Sequence, residues 1–113
     1  MKVVDVYSQY FRAKGEFHSV ARNGARVFLT ATSDNGTIRY EAAVTFFPHR
    51  DEEDYAVSYD AFFSKTLYEG KGRRSKKKEE AYLKLFRAEI DGLAKAENAE
   101  VFWDEPLRDG VYA

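Results

Sequence analysis

Tyr82, Leu85, Phe86, Ile90 and Leu93 recur at helical spacing behind Ser75, and both Asn-Gly dipeptides lie ahead of them. A helix with one apolar stripe must bury that stripe against something. Ser75 is a suitable N-cap and Asn98 a suitable stop, so the spacing predicts a helix over about 75–97. Lys78, not Glu, follows three residues after Ser75, so no capping box forms. Glu79 and Glu80 lie in or just past the first turn, where the helix dipole favours them. Gly92 costs this helix about 1 kcal/mol relative to alanine.

The preceding residues are written mainly in a strand alphabet. Aromatic residues make up 16% of the chain, so the core must lean on Phe, Tyr and Val, which favour strands. Burial in the core accounts for most of these aromatics, and a surface platform for stacking bases is the functional alternative. Asn23-Gly24 and Asn35-Gly36 each supply the positive φ of a tight hairpin turn, and they flank an apolar run over 26–32. A second strand is expected over 38–47, closed by Pro48, which cannot donate to a ladder. Residues 49–54 read as a charged loop. Tyr55, Val57 and Tyr59 alternate as in a half-buried strand, and 64–69 reads as another, with Leu67 as its core contact. Val101-Phe102-Trp103 reads as a short strand or a packed tail, ended by Pro106.

Residues 3–12 carry two signals. Val3, Val6, Tyr7, Tyr10 and Phe11 follow a helical stripe, while the β-branched and aromatic content argues for a strand. The spacing weighs more, so a short N-terminal helix is expected, with Gly15 at its C′ position. The fold class is therefore α+β: an antiparallel meander of four to five strands packed against a long C-terminal helix.

A chain of 113 residues forms one domain with a single core. With 44% hydrophobic and 33% charged residues it is globular and not disordered. Residues 98–113 form an acidic tail, in which four acids outnumber Arg108. The absence of cysteine excludes disulfides, thiolate metal sites and a cysteine nucleophile. There is no 18-residue apolar run and no signal-peptide h-region at the N-terminus, so a cytoplasmic protein without membrane contact is expected. Neither a G-x-S-x-G elbow nor a phosphate-binding G-x-x-x-x-G-K-[ST] loop is present, and no carboxylate pair stands out, so no enzyme and no cofactor are expected. His49 with Asp51, Glu52 and Asp54 is a contiguous run without the glycine that would let its side chains converge on a metal.

The overall charge of −1 hides an uneven distribution. Lys71, Arg73, Arg74, Lys76, Lys77 and Lys78 place six cations within eight residues. Three of these lysines lie at the positive end of the helix dipole, which costs a few tenths of a kcal/mol each. A bound anion would offset that cost, since a helix start presents unpaired N–H groups.

The segment 69–81, Glu-Gly-Lys-Gly-Arg-Arg-Ser-Lys-Lys-Lys-Glu-Glu-Ala, resembles the last signature of the double-stranded RNA-binding domain family. In that family a glycine loop closes a strand and a Ser-Lys-Lys step opens the final helix. Upstream the resemblance is looser: Tyr40-Glu41 fits the start of the first family strand, Pro48-His49 its minor-groove loop, and Tyr55, Val57, Tyr59 and Leu67 its later strands. Residues 3–15 would be its first helix, carrying Gln9 as a groove contact. Arg74 is an extra residue in the loop, Glu80 replaces a common lysine, and the 23–36 region has no counterpart.

The resemblance implies a module that holds double-stranded RNA, or another nucleic acid, by its backbone. Lys76 and Lys77 would contact phosphates, with Ser75 between them and the loop. Lys71, Arg73, Arg74 and Lys78 would add charge, and His49 an auxiliary groove contact. The alternative is a protein-interaction or regulatory domain without nucleic-acid binding, whose basic loop meets an acidic patch of a partner protein or the acidic tail of a second copy in a homodimer. Its abundant tyrosine suits an interface.

Overall fold

The computed structural model describes residues 1–17, 20–47, 61–107 and 111–112. The first strand, β1 (Lys2–Lys14), is followed by the two-residue strands β2 (Glu16–Phe17) and β3 (Val20–Ala21). Then come β4 (Gly24–Asp34), β5 (Thr37–Phe47), β6 (Ala61–Lys71), α1 (Lys76–Ala96), β7 (Glu100–Pro106) and β8 (Val111–Tyr112). The main sheet runs β6-β5-β4-β1-β7, with every neighbouring pair antiparallel, and β8 also pairs with β1. One 21-residue helix packs on it, as the α+β class requires.

The helix is also the crossover. β6 lies at one edge, and β7 must reach the far side of β1, about 19 Å away across four inter-strand spacings. A helix of this length spans about 31 Å, enough to cross the sheet obliquely. Its side chains record the path. Phe86 stacks on Phe63 of β6 at 5.7 Å, Tyr82 tilts against Tyr40 of β5 at 5.1 Å, and Asp91 accepts a hydrogen bond from Trp103 Nε1 of β7 at 2.8 Å. Between helix and sheet lie Tyr7, Phe11, Val27, Leu29, Tyr40, Val44, Phe46, Phe86 and Ile90, all buried. Five of these are aromatic, and Phe63, Tyr82 and Trp103 pack against them as partly buried residues. Leu67 packs against it as expected, and Leu93 is half-buried. Leu85 does not belong to the core: it is 62% exposed, and Glu79 is buried in the helix instead.

The expected N-terminal helix is a strand. β1 pairs with β4 over ten residue pairs, from Lys2↔Ser33 to Arg12↔Gly24. The register skips at Val6, between Asp5↔Thr30 and Tyr7↔Leu29. A β-bulge leaves one residue unpaired and resets the alternation of faces. Val6 and Tyr7 are therefore both buried, after which Gln9, Phe11 and Ala13 alternate inward. Two adjacent apolar residues followed by two more produced the helical spacing. Gly15 is accordingly no helix C′ residue; it ends β1 at φ 147°, close against Ala99.

The two Asn-Gly dipeptides part company. Asn35 (φ 48°) and Gly36 (φ 81°) form the tight turn between β4 and β5, whose register runs unbroken from Asp34↔Thr37 to Gly24↔Phe47. Asn23-Gly24 is not a turn. Asn23 accepts from Ala13 N–H at 3.0 Å and donates to the Phe47 carbonyl at 3.2 Å, continuing the ladders on both sides. The chain reverses through the β2–β3 pair instead. Within 98–113, β7 is part of the main sheet, and Arg12 holds Glu105 through two hydrogen bonds of 3.2 Å. Pro48, the charged loop 49–54 and the expected strand at Tyr55, Val57 and Tyr59 lie outside the described residues.

Candidate nucleic-acid interface

The basic segment runs from the end of β6 into the first turn of α1, and three anchors hold it. Lys71 closes β6, and its carbonyl accepts the Tyr68 hydroxyl at 2.7 Å. Gly72 N–H donates to the Gly36 carbonyl at 2.9 Å, tying the loop to the β4–β5 hairpin. Ser75 is the N-cap: its backbone is extended (φ −136°, ψ 116°), and its hydroxyl oxygen accepts from Lys78 N–H at 3.4 Å.

A fourth anchor was invisible in the sequence. The Tyr40 hydroxyl, from the middle of β5, donates to Glu79 Oε2 at 2.7 Å and accepts from Ser75 N–H at 3.1 Å. Glu79 also takes Arg74 in a two-point grip, Nε to Oε2 at 3.1 Å and Nη2 to Oε1 at 3.2 Å. Glu79 is 3% exposed, so this carboxylate is buried, but it is paired and hydrogen-bonded as a buried charge must be. Burial pushes its carboxyl up, but the bonds from Arg74 and Tyr40 outweigh this and hold it below the ordinary range. Burial, then the bond to Glu79, pushes the Tyr40 phenol up to about 12. Arg74 gains from the same contact and stays charged.

This network divides the predicted site residues into two groups. Arg74, expected to add long-range charge to the site, is paired with the buried Glu79. Ser75 is committed as the cap. The side chains of Lys71, Arg73, Lys76, Lys77 and Lys78 are exposed around the helix start and make no ion pair with the described residues. His49 and the acidic run 51–54 lie outside the described residues. Gln9, which the family resemblance placed on a helix, is buried on strand β1, and its Oε1 accepts from Tyr10 N–H at 2.9 Å.

Five cations on a capped, anchored helix start can hold phosphate oxygens through charge and main-chain N–H groups, without reading base edges. Among the described residues no group of three His, Asp or Glu side chains comes together as a metal site. No described helix is long and apolar enough to cross a membrane. No known family model matches this chain, nor does any curated protein or solved structure.

Proposed function

We infer that the protein is a nucleic-acid backbone-binding module of the cytoplasm, not an enzyme, with double-stranded RNA as its ligand. One observation carries this reading: Lys71, Arg73, Lys76, Lys77 and Lys78 stand exposed around a helix start and make no ion pair with the described residues, while Arg74 is paired with Glu79. A helix N-terminus ringed by cations is unfavourable until an anion arrives. The loop is held by Gly36, Tyr40 and the Ser75 cap, so little ordering is left to do on binding. A-form RNA suits such a site because it is recognised by shape and backbone, and the 69–81 resemblance to the double-stranded RNA-binding domain supports the same ligand.

The test is fluorescence anisotropy with a labelled 20-base-pair RNA duplex, longer than the ~16 base pairs that such a domain spans. Duplex DNA and single-stranded RNA are the comparisons. Binding that prefers the RNA duplex and weakens with salt supports the reading. Absence of binding at low salt, together with salt-sensitive self-association in size-exclusion chromatography, would replace it with an interaction domain whose basic loop meets an acidic protein surface.

A further inference from the structure

The inward face of α1 is set by Glu79, Phe86, Ile90 and Ala94, which are buried. At about 100° per residue, Ala81, Leu85, Ala88 and Gly92 lie within about 40° of the opposite direction. A surface helix ordinarily turns charged or polar residues that way. Here no charged residue from Lys78 to Asp91 falls in that sector, and all four residues in it are exposed, Leu85 most conspicuously. Gly92 sharpens the contrast. Glycine is the poorest helix former after proline, yet nothing lies within 4 Å of a Cβ built at this position, so no contact inside the protein requires it. The close approach of a second backbone would.

The face complements itself. Leu85 and Gly92 are seven residues apart, and so are Lys84 and Asp91 on its flank. Two copies of the helix packed antiparallel about a two-fold axis near Ala88 bring Leu85 of each over the partner's Gly92, and Lys84 of each toward the partner's Asp91. The bulkiest side chain of the face thus meets its one position without a side chain, twice. Lys84 is exposed and makes no ion pair with the described residues. Asp91 gives Oδ1 to Trp103 and keeps Oδ2 for a second donor. A parallel pair would instead set Leu85 on Leu85 and Lys84 on Lys84, with the helix dipoles aligned. We propose that the outward face of α1 is a homodimer interface, in which a second copy of this chain packs its own α1 antiparallel, Leu85 into the gap at Gly92. Such a contact is isologous, the same patch serving on both copies. It does not depend on the nucleic-acid reading, and it leaves the two basic helix starts open at opposite ends of the dimer.

The test is sedimentation velocity over about 5–500 µM protein, a range wide enough for a contact at the small end of interface sizes. The wild type passes reversibly from monomer to dimer. Leu85→Lys is monomeric throughout, with its urea midpoint at low concentration unchanged because the site is exposed. Lys84→Glu and Asp91→Lys each weaken the dimer about tenfold, two attractions being turned into two repulsions. Mixed in equal amounts, these two variants form a heterodimer as tight as the wild-type dimer. Weakening in each variant and rescue in the mixture together require the antiparallel register. A wild type that stays monomeric overturns the proposal. So does a dimer that survives Leu85→Lys, or one abolished instead by Lys76→Ala/Lys77→Ala, which places the contact at the basic loop. The duplex-RNA titration is a separate measurement, so failure of the dimer and failure of the nucleic-acid reading are distinguishable.

Discussion

The Tyr40 hydroxyl stands 2.7 Å from Glu79 Oε2, joining the middle of strand β5 to the first turn of the helix across 39 residues of sequence. Through that one oxygen the sheet also holds Ser75 N–H, and through Glu79 it holds Arg74. The basic loop is thereby tied to the sheet and is not a free tether. Removing the hydroxyl with Tyr40→Phe leaves a buried carboxylate short of a donor and the cap N–H short of an acceptor. The expected loss is about 1–3 kcal/mol, seen as a lower urea midpoint with an unchanged slope. An unchanged midpoint would show that the bridge contributes nothing.

The same pair sets a pH window. Glu79 is held below its ordinary value in the folded protein, so its contribution is complete above the unfolded carboxylate pKa, about 4.3. It is lost as pH falls through the lower folded value. Tyr40 is raised to about 12, so its contribution is complete below about 10 and is lost as pH rises from there through 12. Unfolding followed against pH should show weakening at both ends. Glu79→Gln, less stable at neutral pH, should flatten the acid limb. An acid limb of the same steepness in that variant would assign it to other carboxylates.

Gly15 is where β1 meets the residue that leads into β7. Its φ of 147° is strained for a side chain, and a Cβ there would lie 2.9 Å from Ala99 Cα. Gly15→Ala should cost about 2–4 kcal/mol through backbone strain and overpacking. Gly92→Ala is the control: nothing lies within 4 Å of its added Cβ, and the helix gains a better former. Thermal unfolding of the two proteins should move in opposite directions.

Leu85 and Phe86 are adjacent and opposite in role. Phe86→Ala opens a cavity against Phe63 and should cost about 3–5 kcal/mol, whereas Leu85→Ala, at a site 62% exposed, should stay within about 0.5 kcal/mol. Equal losses in urea unfolding would contradict the packing described for α1.

The helix was legible because its cap, stripe and stop all agree: 75–97 was expected, and Lys76–Ala96 with Ser75 as cap is observed. The hairpin at Asn35-Gly36 and the strand through Leu67 were legible for the same reason. β1 was not, because one unpaired residue, Val6, shifts the inward set and turns an alternating pattern into a helical one. Asn23-Gly24 misled because Asn-Gly permits a turn but does not require one, and the ladders on both sides claim Asn23. At the site, the exposed lysines were legible as charge. The fate of Arg74 was not, since its partner Glu79 looked like an ordinary dipole match until Tyr40 was brought against it from β5. No local spacing reports a contact of that range.

The most direct test of the account is the Lys76→Ala/Lys77→Ala protein, titrated with the 20-base-pair RNA duplex across a range of salt concentrations. Two lost phosphate contacts should weaken binding uniformly across sequences and reduce the magnitude of the salt slope by about one to two units, with the urea midpoint unchanged. Affinity and salt slope equal to those of the wild type would contradict the placement of the phosphate site at the start of α1.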